Sequence, residues 1–159
     1  MGLVDPPDSV ASAPQRFEDF YRAQHEPMLR LAYLLTQSRA AAEDLVQDSF
    51  IRVQPRWDEL EVPTAYLRRT VTNACYSWHR RRRLEQATPV AVPAAGEPEH
   101  DEMWDALAKL APRRRAALVL RYYLDLSEAD IAAALGCRKG TVKSLTHRAL
   151  AELRSVLEP

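Results

Sequence analysis

Residues 127–147, SEADIAAALGCRKGTVKSLTH, combine small, turn-forming and cationic residues at a spacing that suits contact with DNA. Two helices that cross at a large angle need a small residue where their backbones approach, and Ala132 occupies such a position. They also need a turn residue that tolerates positive φ, which Gly136 supplies four residues later. Apolar residues at Ile131, Leu135, Val142 and Leu145 can join the two helices. This spacing predicts a helix-turn-helix.

The second helix of this motif would expose a row of polar and cationic side chains. Lys and Arg pair with guanine edges or phosphates, Ser and Thr reach either, and the first amides of a helix can receive a phosphate. The alternative is a plain helical hairpin with a solvated polar face. The agreement of small residue, glycine and apolar positions favours DNA binding. The candidate contacts are Lys139, Thr141, Lys143, Ser144, His147 and Arg148.

A second basic segment, residues 64–83, interleaves aromatic rings with arginines. Tyr76 and Trp78 can pack against bases, Asn73 can hydrogen-bond an exposed base edge, and the run 80–83 can follow a phosphate backbone. Aromatics beside cations suit single-stranded or melting nucleic acid, in which stacking contributes ~1–3 kcal/mol per base. Taken singly, a ring such as Trp78 is more often core, and an arginine run is usually a solvated face.

Residues 43–50, EDLVQDSF, carry acceptors at helical spacing. Asp44, Gln47 and Asp48 stand at i, i+3 and i+4, so they share one helix face. Beside Phe50 they form a candidate docking patch for a basic partner. From spacing alone, however, ordinary solvated charge is the favoured interpretation.

Helical periodicity runs through the chain outside its proline-rich stretches, and no stretch shows a convincing period of two. Pro63 and Pro112 suit the first position of a helix, and Ser127 followed by Asp130 is a capping-box pattern. Pro27 interrupts the first apolar stripe, which predicts a kink or two helices there. We therefore expect an all-α protein.

Residues 86–100 carry three prolines and a glycine, which break any regular element and predict an extended linker. The N-terminal residues are also rich in proline and predict a disordered tail. We expect two small helical domains joined by a flexible linker. The predicted divisions are a tail at 1–14, a first domain at 15–84, a linker at 85–100 and a second domain at 101–159.

Composition excludes several classes of protein. The charges cancel to a net of zero, yet residues 68–83 are basic without an acid, so one face can still bind a polyanion. Cys75 and Cys137 form no CxxC pair, which argues against a disulfide framework or zinc site and suits a reducing cytoplasm. No membrane span or signal peptide is expected. The four histidines are scattered, and no catalytic, metal or phosphate-loop motif appears, so we expect no enzyme, metal or cofactor.

Taken together, the chain resembles the extracytoplasmic-function sigma factors of RNA polymerase, and within them the actinobacterial SigE-like group. The order of the matching stretches is as diagnostic as any one of them, and together they span nearly the whole chain outside the tail and linker. The stretches are LAYLLTQSRAAAEDLVQDSFIRV, PTAYLRRTVTNACYSWHRRRR and LAPRRRAALVLRYYLDLSEADIAAALGCRKGTVKSLTHRALAELR. The resemblance implies a sigma region 2 helical bundle and a sigma region 4 helix-turn-helix.

The resemblance also implies a role for each candidate face. The acidic helix would bind the clamp of the largest polymerase subunit, and the basic helix would meet the minus-10 element, with Asn73 at a flipped base and residues 57–64 helping to form its pocket. The helix-turn-helix would read the minus-35 element, with contacts at Lys143, Ser144, His147 and Arg148. The implied docking residues are Asp44, Gln47, Asp48 and Phe50. The implied minus-10 residues are Arg69, Asn73, Tyr76, Ser77, Trp78, Arg80 and Arg81.

The implied partners are core RNA polymerase, through its clamp and flap regions, and promoter DNA. The linker, with acids at Glu97 and Glu99, would thread through the polymerase cleft. Control would come from a separate anti-sigma factor, expression level or proteolysis. We expect a cytoplasmic protein that is monomeric when free and does not bind a membrane. The rival is a stand-alone helix-turn-helix regulator, which would bind duplex DNA without polymerase, usually as a dimer.

Overall fold

The computed structural model describes residues 16–85 and 102–158. Within these ranges the secondary structure is helical without a strand, which confirms the all-α prediction. The predicted tail, and the predicted linker from residue 86 onward with Glu97 and Glu99, lie outside the described residues. The α-helices are α1 (Phe17–Thr36), α2 (Arg39–Val53), α3 (Pro63–Glu85), α4 (Glu102–Lys109), α5 (Pro112–Leu118), α6 (Glu128–Leu135) and α7 (Lys139–Leu157). A 3₁₀ turn, Gln54–Glu59, follows α2, and a π-helical turn, Val119–Tyr123, follows α5.

Helix boundaries follow local chemistry. Pro63 and Pro112 open α3 and α5, as predicted. The Oγ of Ser127 accepts a hydrogen bond from the amide of Asp130 at 3.1 Å, which confirms the cap at the start of α6. Gly136 ends α6 with φ at 62°, in the left-handed region that glycine adopts without strain.

Of the two alternatives predicted at Pro27, a kink or two helices, the second is wrong, because α1 is a single helix of 20 residues with Pro27 inside it. A proline ring removes one backbone hydrogen bond and crowds the carbonyl four residues earlier, here that of Ala23. Pro27 and Ala23 are both exposed, so solvent can reach the carbonyl that lost its partner. Phe20 and Met28 are buried on either side of the proline, and their packing keeps both halves in one helix.

The two groups of helices pack directly on one another. Helices α1, α2 and α3 form the first domain, and α4 to α7 form the second. One continuous core joins them, since Leu35 and Val71 of the first domain belong to the same buried cluster as Ala116 and Ile131 of the second. Helix α3 contacts α5 and α6, and α1 contacts α5. We call this contact between the domains the seam.

A buried arginine lies at the centre of the seam. Arg115, on α5, is only 4% exposed, and its guanidinium donates to carbonyls at the ends of two helices. Within its own domain it bonds to the carbonyls of Leu107, Ala108 and Leu110 at 2.8, 3.2 and 3.0 Å. Its Nη1 crosses the seam to the carbonyl of Leu35 at 2.9 Å. Burial lowers the pKa of Arg115 to about 10, so it stays charged at neutral pH.

Two kinds of site are missing from the part of the chain that the structure describes. No helix there is both long and apolar enough to cross a membrane. No cluster of three His, Cys, Asp or Glu side chains is arranged there to hold a metal ion.

Candidate docking and nucleic-acid interfaces

The acidic face of α2 points outward. Asp44, Gln47 and Asp48 are all exposed, while the opposite face of the helix is buried against α1 and α3. Neither Asp44 nor Asp48 forms an ion pair with another described residue, whereas the neighbouring Glu43 is paired with Arg39 at 3.2 Å. Two carboxylates on one surface, without an ion pair in the described part of the chain, leave their charge available to a basic partner.

Phe50 is the exception among the predicted docking residues. Its side chain is 2% exposed and lies inside an aromatic cluster, where its ring centroid is 4.6 Å from that of Tyr21 and 6.2 Å from that of Phe20. Phe50 therefore cannot contact a partner in this conformation, and the prediction of a direct contact needs correction. Its position on the apolar stripe of α2, beside the buried Val46 and Val53, explains the burial.

Sequence reasoning missed a residue on the outward face of α2. Ile51 is 58% exposed, which is unusual for so large an apolar side chain on a short helix. It follows Asp48 by three residues and Gln47 by four, so it shares their face. The spacing already contained this signal, because Asp44, Gln47, Asp48 and Ile51 continue the same helical row. The candidate docking face is therefore two carboxylates, an amide and an apolar side chain; we call it the α2 face.

The predicted minus-10 residues on α3 differ in their exposure to solvent. Arg69, Asn73, Arg80 and Arg81 are exposed. Tyr76, Ser77 and Trp78 are half-buried, because the opposite side of α3, with Leu67, Val71 and Cys75, forms part of the core. The exposed residues present three cations and one amide, a set that can bind phosphates and one base edge.

The half-buried aromatics of α3 already have protein neighbours. Trp78 meets the ring of His79 edge-on at 4.8 Å and lies under the guanidinium of Arg82 at 5.0 Å. Tyr76 lies under Arg113 of α5 at 5.9 Å, so this ring faces the seam. In this conformation neither ring is a free platform for a base.

The residues of the predicted pocket loop, 57–64, also differ in their exposure to solvent. Trp57 packs on Phe17 and Phe20, with ring centroids 5.5 and 4.8 Å apart, so its ring belongs to the core. Glu61 and Val62 are exposed, and Val62 presents an apolar side chain beside the start of α3.

Helices α6 and α7 form the predicted helix-turn-helix. Ile131, Ala132, Leu135 and Val142 are all buried between them or against α5, as the apolar spacing requires. Arg138, which precedes α7, supplies no side-chain cap, and its carbonyl accepts from the amides of Thr141 and Val142 at 3.0 and 3.2 Å. The amides of Lys139 and Gly140 remain open to an acceptor. All of the predicted contacts on α7 are exposed: Lys139, Thr141, Lys143, Ser144, His147 and Arg148.

Burial shifts the pKa of two side chains of α3. His79 Nε2 donates to the Leu35 carbonyl at 2.7 Å, the same carbonyl that accepts from Arg115. Burial, followed by the charges of Arg115 and Arg82, lowers the pKa of His79, although the bond to Leu35 opposes the shift. Burial raises the pKa of the Cys75 thiol to about 12, so this thiol is protonated at neutral pH and unreactive.

The seam residues were not predicted from the sequence. Arg115 lies in a run of three arginines, and nothing in that composition sets it apart. One signal was present, because Arg115 stands three and four residues before Leu118 and Val119, on the buried stripe of α5. An arginine on an apolar stripe needs buried acceptors, and the helix-end carbonyls provide them.

Comparison with known proteins divides the chain into the same two parts as the two groups of helices. Residues 20–85 match the family model described as Sigma-70 region 2, and residues 100–153 match that of Sigma-70, region 4. The RNA polymerase sigma-E factor of Streptomyces avermitilis is 38% identical over 152 residues, covering 89% of this chain and 85% of that protein. The ECF RNA polymerase sigma factor SigM of Mycobacterium tuberculosis is 33% identical over 159 residues, covering 93% and 80%.

Solved structures share the fold. The sigma factor RpoE of Bartonella quintana, in complex with the anti-sigma factor NepR, has a TM-score of 0.72 at 27% identity, covering 89% of this chain and 96% of that chain. CnrH, in complex with the cytosolic domain of CnrY, has a TM-score of 0.64 at 23% identity, covering 89% and 87%, and shows the same fold. With its helix-turn-helix, its outward acidic face and its basic third helix, the chain belongs to the extracytoplasmic-function RNA polymerase sigma factors, which bind core polymerase and direct it to promoters.

Proposed function

We propose that the α2 face is the surface by which this sigma factor docks on core RNA polymerase, through the clamp of the largest subunit. The supporting observation is the exposure of Asp44 and Asp48 without an ion pair to another described residue. Charge complementarity steers association and sets specificity, and the exposed Ile51 adds apolar area to the contact. Phe50 supports this surface from beneath.

We propose that DNA is bound by two separate faces. On α3, Asn73 hydrogen-bonds an unpaired base of the minus-10 element while Arg69, Arg80 and Arg81 hold its phosphates. The exposed face of α7 reads the minus-35 element in the major groove. Single-stranded DNA alone offers an unstacked base, so capture at Asn73 favours the melted promoter over the closed duplex. The protein thus acts by selective binding, without bond chemistry of its own.

The closed seam is not the DNA-bound arrangement in this proposal. Elements centred about 25 base pairs apart are separated by roughly 85 Å along B-DNA at ~3.4 Å per base pair. A compact chain of this length has a radius of gyration of only ~15 Å. The chain between Glu85 and Glu102 can extend to roughly 60 Å at ~3.5 Å per residue. The domains must therefore separate when polymerase places them on the promoter, and the linkage then makes the second contact intramolecular.

The proposal extends to the partner, location and boundaries of the chain. The sigma factor RpoE bound to the anti-sigma factor NepR supports control by an anti-sigma protein. Action with core polymerase and promoter DNA implies the cytoplasm. The helices support domain limits near 15–84 and 101–159, with the segment between them as a linker.

Charge reversal at Asp48 tests docking. Asp48→Arg should abolish co-purification with core polymerase while leaving the unfolding midpoint unchanged, because the side chain is exposed. Glu158→Arg, an equal reversal at another exposed carboxylate, is the control and should bind normally. Normal polymerase binding by Asp48→Arg would reject the α2 face.

Removal of the Asn73 amide tests promoter melting. Asn73→Ala should bind core polymerase normally but lower permanganate reactivity of thymines in the melted region, with a matching loss in run-off transcription. Unchanged reactivity would remove Asn73 from this role.

A gel shift of duplex promoter DNA with and without core polymerase tests the rival, a stand-alone helix-turn-helix regulator. Tight, specific binding by the free protein would favour the stand-alone regulator.

A further inference from the structure

A basic cleft opens along the seam, between the C-terminal end of α3 and the start of α5. Its volume is about 610 Å³. Both domains line it, with Tyr76, His79, Arg80, Arg82 and Arg83 from α3 and Arg113 from α5. Among the described residues no carboxylate lines it. We call this feature the seam cleft.

The arginines of the seam cleft have no counter-charge among the described residues. Arg80, Arg82, Arg83 and Arg113 form no ion pair with another described residue. The Nε of Arg113 is buried and has no hydrogen-bond partner among the described residues. Like charges held together repel one another, and a buried N–H without an acceptor is unfavourable. An anion in the cleft would relieve the repulsion between the arginines.

We propose that the seam cleft binds a small anion made of linked phosphates, either an inorganic polyphosphate or the phosphate chain of a nucleotide. Guanidinium groups donate in a planar fork that matches phosphate oxygens and often bind them by two parallel hydrogen bonds. Several guanidiniums around one cleft match several phosphates in a row. Small-molecule sites commonly occupy ~300–1,000 Å³ and lie at domain boundaries, and the seam cleft fits both descriptions.

Binding at this cleft would be coupled to the arrangement of the domains. Because α3 supplies one wall and Arg113 the other, the anion has its full set of partners only while the seam is closed. A ligand that binds one arrangement better shifts the population toward it. If the domains separate on the promoter, as the proposed function requires, linked phosphates oppose promoter binding, and promoter binding reciprocally weakens their affinity. This last step alone depends on the proposed function.

Calorimetric titration of the full chain with tripolyphosphate tests the site without polymerase or promoter. We expect saturable binding to one site, with orthophosphate much weaker. ATP in a parallel titration distinguishes the sources, since tighter binding of ATP points to a nucleotide and tighter binding of tripolyphosphate to the inorganic chain. Absence of saturable binding, or equal affinity for orthophosphate, would overturn the proposal.

Single arginine variants test the location. Arg113→Gln and Arg83→Gln should each weaken tripolyphosphate binding about tenfold, the effect of losing one charge-assisted hydrogen bond. Arg148→Gln removes the same charge from exposed α7 and should change affinity little. Equal losses in all three variants would show diffuse attraction to a cation and overturn the site. Displacement of bound tripolyphosphate by single-stranded DNA, with the same dependence on Arg113, would make the cleft a nucleic-acid groove instead.

Hydrogen exchange tests the bridging of two domains. Tripolyphosphate should slow amide exchange both at the end of α3 and at the start of α5, because its partners lie on both. Protection of α3 alone would contradict a cleft that spans the seam. Since no step uses polymerase, these results can fail while Asp48→Arg and Asn73→Ala still behave as the proposed function requires, and the reverse also holds.

Discussion

Helices α7 and α3 both carry predicted DNA contacts, yet they present them very differently. Every predicted contact on α7 is exposed, from Lys139 to Arg148. On α3 the predicted set is divided, with Asn73 outward, Trp78 half-buried and Tyr76 facing the seam. The cause is packing, since α3 contacts helices of both domains, α1 and α2 in its own and α5 and α6 in the other, whereas α7 packs mainly on α4, α5 and α6 of its own domain. A helix with neighbours in both domains has little exposed surface left. Fewer of its polar and aromatic residues can therefore contact DNA than its sequence suggests.

The largest expected effect is at Arg115, which holds the seam over α3. Arg115→Ala leaves the carbonyls of Leu35, Leu107, Ala108 and Leu110 without this donor, and hydrogen bonds to a charged group contribute about 1.5–3 kcal/mol each. We expect a loss of about 3 kcal/mol or more in the free energy of unfolding, measured by urea titration. Hydrogen exchange along α3 should also rise toward that of an exposed helix.

Arg114→Ala is the matched control for Arg115. Arg114 is the preceding residue and pairs with Glu152 at the partly exposed surface, so its loss should cost less than about 1 kcal/mol. A small effect at both positions would mean that the seam contributes little to the free energy of unfolding. The difference in exposure between the predicted contacts of α3 and α7 would then need another cause.

The next largest effect compares the two helices directly. Trp78→Ala should lower the free energy of unfolding by about 2 kcal/mol, because removing a fully buried aromatic ring costs about 3–5 kcal/mol and this ring is only half-buried. Arg148→Ala on α7 should stay within about 0.5 kcal/mol. Chemical denaturation of the free protein measures both losses. Equal losses would show that the predicted contacts on α3 and α7 do not differ in their contribution to packing.

A smaller effect is expected at the turn before α7. Gly136 has φ at 62°, and a Cβ added there would meet open space, so Gly136→Ala introduces backbone strain alone. We expect a loss of about 1–2 kcal/mol. Gly140→Ala also meets open space but lies within α7, where alanine should stabilise the helix by up to about 1 kcal/mol. Thermal unfolding should move the two variants in opposite directions, and a shift in the same direction would reject the strain argument.

Local features of this fold could be predicted from the sequence, and long-range ones could not. Pro63, Pro112, Ser127 and Gly136 mark helix ends because each satisfies or removes a backbone group within a few residues. The uninterrupted α1 and the burial of Arg115 depend on residues far away in the chain, so neither follows from local pattern.

The candidate sites follow the same division. The exposed faces of α2 and α7 were predictable because each helix has one apolar stripe and one polar face. Phe50 is adjacent in sequence to the acidic residues of α2, which suggests a binding role, but its helical position places it on the buried stripe. The seam cleft depends on α3 and α5 meeting across the domain boundary, and no spacing within either segment encodes that meeting.

The smallest expected effect is a pH dependence at His79, the titratable residue that α3 places in the seam. Burial and the charges of Arg115 and Arg82 lower the pKa of His79 below its ordinary value, so the unfolded chain takes up this proton first. The stability that the neutral ring contributes is therefore complete above about pH 6.5 and is lost as the pH falls below that value. His79→Gln keeps a donor for the Leu35 carbonyl but cannot titrate, so its unfolding free energy should fall less between pH 7.5 and pH 5 than that of the unaltered protein. If His79→Gln instead keeps the pH profile of the unaltered protein, the seam does not perturb the protonation of His79, and α3 is not enclosed at this position.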